Sequence, residues 1–239
     1  GYIRKEILEK AGAETIYFVG AIGGLIRLKE LDEDNIKSTV LGGQSIARTA
    51  MAVENEIKLH PVLNLIRQEY YSQCDNYVLA LAQKVGILKS NAANTGKGSL
   101  NLSIHTEMSY FELGGLKLLF LPCELFPELA YGGYLDADCS AEGKSPDINP
   151  APLLRIAEDD NMLIFCLAND FTGYVVPLND FYLNPKEPYI NGGRDRLDRR
   201  HYEETNSLGP ETAPIIANVF ADIMNTVNKT KTEAEKAIK

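Results

Sequence analysis

Apolar residues recur at Ile3, Ile7 and Leu8, the spacing of one helical face, and predict a helix over Tyr2–Lys10 that Gly12 can end. Thr15–Val19 is β-branched and aromatic and reads as a buried strand, running into the glycine turn Gly20-Ala21-Ile22-Gly23-Gly24. Lys29–Lys37 is charged and expected at the surface. Ile46, Ala50, Val53 and Ile57 carry helical periodicity through Val40–Leu59. Pro61–Gln73 alternates as a strand does, and Asn76–Leu88 sets Val78, Leu81 and Val85 on one helical face. Ser90–Lys97 is small and polar, a loop.

The clearest local signal is a hairpin. Ser103–Leu113 and Leu116–Leu121 are two strands joined by Gly114-Gly115, and the second is almost wholly apolar, as a central strand is. It ends at Pro122-Cys123-Glu124, before a short helix expected over Leu125–Ala130. Tyr131–Pro150 is a long loop rich in Gly, Asp, Ser and Pro. Ala151–Glu158 reads as a short helix, Met162–Ala168 as a buried strand, and Asn169–Tyr174 as the loop that leaves it. Asn184–Arg200 is irregular. Gly209-Pro210-Glu211 opens a last helix over Thr212–Val227, with Pro210 at a tolerated first-turn position and 229–239 a charged tail. The order of elements predicts an α/β fold, a mixed sheet with flanking helices, with α+β as the alternative.

Composition narrows the function classes. The chain has 239 residues, 45% of them hydrophobic, enough for one substantial domain. Its net charge of −9 argues against non-specific nucleic-acid binding, which needs clustered Lys and Arg. The one basic cluster, Arg194, Arg196, Arg199 and Arg200, is interrupted by Asp195 and Asp198, and reads as an ion-paired loop before an anion site. No run of eighteen apolar residues exists, so no transmembrane segment is expected. The first residues lack the apolar stretch of a signal peptide and read like the middle of a domain. Cys74, Cys123, Cys139 and Cys166 form no CxxC pair. Cys166, in an apolar run, reads as a small buried hydrophobe.

Two strand ends carry candidate chemistry. Glu124 follows a central strand, where a carboxylate serves either as a metal or substrate ligand or as a helix-start acid. In Asn169-Asp170-Phe171-Thr172-Gly173-Tyr174, Asp170 is a candidate ligand or cap, and Tyr174 a ligand or a packing aromatic. His201 precedes Tyr202-Glu203 and is a candidate substrate contact or a surface loop residue. His105 reads as structural and His60 as a turn residue. Cys123, beside Glu124, is a remote candidate for a thiol nucleophile, with no histidine paired to it in sequence.

Taken in order, these segments resemble the C-terminal half of the catalytic domain of the neutral/alkaline ceramidase family. There a Pro-Gly-Glu turn ends one strand, an Asn-x-Tyr-x-x-Tyr segment ends a later one, and a Tyr-Glu pair and a Gly-Pro follow. Here the corresponding stretches are Pro122-Cys123-Glu124, Asn169–Tyr174, Tyr202-Glu203 and Gly209-Pro210. The resemblance implies a zinc-dependent amide hydrolase acting on an N-acyl, lipid-like substrate, secreted or surface-associated. Glu124 and Tyr174 correspond to two of the family's zinc ligands, and His201 and Tyr202 to its substrate wall. The family's two histidine ligands lie upstream of the matching region, so an N-terminal portion of the same protein would have to supply them. Ile26 stands where the family has a serine important for catalysis, Cys123 where it has glycine, and Phe171 where it has the first tyrosine. The alternative reading is a non-catalytic homologue that keeps the fold as a binding or structural module.

Overall fold

A computed structural model describes residues 1–25, 30–54, 58–61 and 63–238, in two compact units. Ile26 and Ile57 lie outside the described residues. The first unit, residues 1–18 and 25–59, is built on two helices. Helix α1, Tyr2–Ala11, ends as expected at Gly12, whose φ of 65° is the left-handed cap that glycine adopts without strain. Helix α2, Asn35–Met51, starts earlier and stops earlier than the periodicity suggested. Its start is set by the Asp34 carboxylate, which accepts the Ile36 and Lys37 amides at 2.8 and 3.2 Å. The two helices pack closely because Gly43 lets α2 approach Tyr2; a Cβ there would come within 2.7 Å of the Tyr2 Cβ. Thr15–Val19 is not a strand, and Ile16 and Phe18 are 80% and 57% exposed. Its β-branched residues gave propensity, but only Val19, at its end, bonds the chain beside β6, accepting the Cys166 amide at 2.9 Å, and one bond does not make a strand.

The second unit, residues 19–24 and 60–239, holds a mixed sheet. Its elements run β1 (Leu63–Gln73), α3 (Tyr77–Lys84), β2 (Ala92–Asn94), β3 (Leu102–Leu113), β4 (Leu116–Phe120), β5 (Glu124–Leu125), α4 (Pro127–Tyr131), α5 (Leu153–Ile156), β6 (Leu163–Phe165), β7 (Tyr174–Val175), β8 (Gly193–Arg194), β9 (Arg200–His201) and α6 (Thr212–Ile238). The main sheet is ordered β1-β3-β4-β6, with β2 on β3 beyond the end of β4. β1, β3 and β4 are antiparallel, and β6 joins β4 in parallel. The fold is therefore of the α/β class. The hairpin at Gly114-Gly115 stands as expected, both glycines having positive φ, and β4 is central between β3 and β6. The short β2 lies inside the stretch expected as a loop, Ser90–Lys97.

One face of this sheet is the core. Met108 and Tyr110 of β3, Leu119 of β4 and Ile164 of β6 pack beneath α6. The helix meets them with Ala213, Ile216, Ala217, Phe220, Ile223 and Val227, all buried, a stripe at three- and four-residue spacing. Burying each large side chain of this kind contributes about 1.5–3 kcal/mol. The charged segment from Lys229 continues α6 to Ile238, well past the helix end expected at Val227. On α3 the expected apolar face is met only in part: Val78 is half-buried, Leu81 and Val85 are exposed, and Ala80 is buried beside Cys74, Ile104 and Leu208. The helix is pinned by its N-cap, Asn76, which bonds the Val78 and Leu79 amides and reaches the Thr205 and Ser207 carbonyls. That tether fixes which face turns inward.

Candidate functional site

The parallel pairing of β4 with β6 does not stop at their ends. Leu121 N–H donates to the Phe165 carbonyl, and Ala168 and Leu167 return bonds to the Leu121 and Cys123 carbonyls. The chain then bulges through Leu167 and Asn169, both at positive φ. Pairing resumes where the Thr172 amide and hydroxyl both donate to the Pro122 carbonyl, at 2.7 and 2.9 Å. From there Glu124 N–H meets the Gly173 carbonyl at 3.0 Å, and β5 and β7 form a short parallel ladder. In it Glu124 and Tyr174 are register partners, so their side chains leave the ladder on the same side. Glu124 is thus a strand residue; the helix expected next to it begins three residues later, at Pro127, and has only five residues.

The pair is electrostatically tight. Burial pushes the Tyr174 phenol well above its ordinary pKa; hydrogen bonding with Tyr202 and Glu124, and the Glu124 charge, add to this. The Tyr202 ring meets Tyr174 edge-on, centroids 5.9 Å apart. Three of the four residues singled out in the sequence therefore stand together: Glu124, Tyr174 and Tyr202.

The fourth, His201, is one strand residue away and buried, at 8% exposure, not a surface loop residue. Its Nδ1 lies 2.9 Å from Glu204 Oε1 and its Nε2 3.2 Å from Asp195 Oδ2. Burial opposes its charged form, but Glu204 and Asp195 outweigh that and raise its pKa to about 8. Asp195 in turn binds Arg199, and Arg199 binds Asp180 at 2.7 Å. Arg194 pairs with Asp198, and Arg196 donates to the Ser140, Ala137 and Asp138 carbonyls. Arg194 and Arg199 are thus paired with acids and Arg196 is bonded to backbone, while Arg200 is exposed.

A cavity of about 120 Å³ opens beside this network. Phe126 and Val176, the residues that follow the two strands of the ladder, line it. His201, Glu204, Asp180 and Gly24 are also part of its wall. Gly24, with a φ of 74°, lies so close over the Phe126 ring that a Cβ would come within 2.8 Å of it. A second, more apolar cavity of about 350 Å³ lies behind the loop Phe171–Gly173, lined by Cys74, Leu79, Ile104 and Leu208.

As metal donors, Glu124 and Tyr174 are a carboxylate oxygen and a phenol oxygen on one side of a rigid ladder, types that suit zinc as two of four ligands. Among the described residues no group of three or more His, Cys, Asp or Glu could hold a metal ion. The remaining candidates are used elsewhere. Asp170 accepts the Thr106 hydroxyl and the Phe171 amide. His105, on β3, stacks on Tyr71 and contacts Asn91 and Glu69. Cys123 is fully buried, and burial, then the Cys166 and Glu124 charges, push its thiol far up, the reverse of an activated nucleophile. Sequence reasoning passed over Phe126, Val176, Asp180 and Glu204. Their role comes from how the loops fold back, and only the Glu204 spacing of three from His201 hinted at it.

No protein-family model matches the sequence, and no curated protein does. Among solved structures, the fold is similar to that of the neutral ceramidase from Pseudomonas aeruginosa, with a TM-score of 0.54 at 14% sequence identity. The match covers 96% of this chain and 40% of the ceramidase chain. The chain thus has a ceramidase-like fold and spans less than half the length of that enzyme. No helix among the described residues is long and apolar enough to cross a membrane.

Proposed function

We propose that this chain contributes a glutamate and a tyrosine to the zinc site of a ceramidase-like amide hydrolase acting on N-acyl, lipid-like substrates. The observation that carries the reading is the register pairing of Glu124 with Tyr174, which sets two oxygen donors side by side at the end of the sheet. Zinc bound there would polarise an amide carbonyl and lower the pKa of a bound water. Glu124 supplies a carboxylate oxygen. Tyr174 supplies a phenol oxygen once the proton now favoured by burial and by Glu124 is released. Tyr202 packs its ring on Tyr174 and keeps that phenol oriented. His201 and Tyr202 form the substrate side, and the apolar cavity behind Phe171–Gly173 offers space for an acyl chain. Two ligands make a poor zinc site. In this reading two histidines come from polypeptide outside these 239 residues, because His105 and His201 are engaged with Glu69 and with Asp195 and Glu204. By resemblance the whole enzyme acts at the cell surface or outside the cell.

A second reading, a non-catalytic homologue with a binding role, is favoured by Ile26, which carries no group able to move a proton. Hydrolysis separates the two. The protein at its full native length should release fatty acid from N-acyl lipids, and Glu124→Gln should abolish this. A native-length protein that is folded yet inactive across acyl chain lengths would support the binding module instead.

A further inference from the structure

The cavity beside His201 has a charge pattern that the hydrolase reading does not use. Asp180, Arg199, Asp195, His201 and Glu204 are linked in that order by contacts of 2.7–3.2 Å, so their charges alternate and end on a carboxylate. Glu203 and Arg200 also line the cavity, Glu203 holding the Tyr202 amide and Arg200 exposed. Four carboxylates thus meet three cations, and one negative charge is left over.

The excess can be assigned to an atom. Glu204 is 2% exposed. Its Oε1 is fully used, accepting the Tyr182 amide at 3.0 Å and meeting His201. Its Oε2 is buried and has no hydrogen-bond partner among the described residues. A buried carboxylate oxygen left unsatisfied is costly, so a ligand that brings a donor is favoured here. Phe126 and Val176 are the apolar part of the lining, and an aromatic ring such as Phe126 is able to face a cation favourably.

We propose that this cavity binds a primary alkylammonium group, with its N–H donors on Glu204 Oε2 and its short carbon stem against Phe126 and Val176. Charge, donor and stem each match one wall. A neutral hydroxyl would leave the negative charge unbalanced. A bare metal ion needs several free oxygens, and one orphan oxygen does not provide them. The volume, that of about four water molecules, suits a two- or three-carbon amine. This inference is independent of zinc and of the hydrolase reading.

The Tyr182 amide, bonded to the same carboxylate, is the reporter. Ethylammonium chloride titrated at constant ionic strength should shift its ¹H–¹⁵N resonance saturably, whereas ethanol, tetramethylammonium chloride and sodium chloride should not. Glu204→Gln should weaken binding by about ten- to a hundredfold, the loss of a charge-assisted hydrogen bond. Val176→Leu, which narrows the cavity and leaves every charge in place, should also abolish the saturable shift, and it decides the matter if Glu204→Gln does not fold. No saturation in the wild type would overturn the proposal. So would an equal response to tetramethylammonium or sodium, or unchanged binding in a folded Val176→Leu protein.

Discussion

His201 shows how much of the site depends on single contacts. Its imidazole lies between Glu204 and Asp195, which raise its folded pKa to about 8 from an ordinary value of 6.5. A raised pKa means that the charged form is favoured by folding. The contribution is complete below about pH 6.5 and is lost as pH rises through about 8. Allowing for solvent screening, it amounts to about 1 kcal/mol. Urea unfolding of wild type at pH 6 and pH 9 should show that loss, and His201→Gln should show a smaller difference between the two. An unchanged difference in the variant would place the titration elsewhere. The sequence marked His201 through its neighbours Tyr202 and Glu203, but not its burial. Its partners sit at offsets of −6 and +3 in irregular chain, where no periodicity brings residues together, so only the folded loops reveal the network. Glu124 and Tyr174 were more legible, because each ends a strand whose apolar run is plain in the sequence.

At the scale of elements, the site depends on the β5–β7 ladder keeping its register after the bulge. The clip is the double bond from Thr172 to the Pro122 carbonyl, followed by Gly173 at a φ of 90°. A Cβ at 173 would collide with the Asn206 carbonyl oxygen. Gly173→Ala therefore combines strain with a clash and is expected to cost about 1–3 kcal/mol for the backbone conformation alone. It should also separate Tyr174 from Glu124. Thermal unfolding reads the first effect, and the near-ultraviolet spectrum of the Tyr174–Tyr202 contact reads the second. A variant with wild-type stability would show that the loop shifts freely and that the register is not enforced there. The hairpin at Gly114-Gly115 was legible because the turn residues and the alternation agree over one short stretch. Thr15–Val19 was misread for the opposite reason: its composition fits a strand, yet a strand needs a neighbour, and no local pattern supplies one. The start of α2 was set by the Asp34 cap, upstream of the periodicity of Ile46, Ala50 and Val53.

For the whole molecule, the sheet, α6 and the looped site form one unit with a ceramidase-like fold, and that similarity covers 40% of the longer enzyme's chain. The α/β class was readable from the order of elements, and the resemblance from four short motifs in sequence order. The gaps between them carried no signal, since Tyr131–Pro150 and Asn184–Arg200, apart from the short β8–β9 pair, are irregular chain whose packing is determined by tertiary contacts such as Arg196 on the Ser140 carbonyl. The central claim is that Glu124 and Tyr174 are metal ligands completed by other polypeptide. Zinc content of the purified native-length protein tests it most directly, measured beside Glu124→Gln and Tyr174→Phe. The account predicts about one zinc per wild-type chain and its loss from both variants while they remain folded. A wild-type protein without zinc, or variants that retain it, would contradict the account.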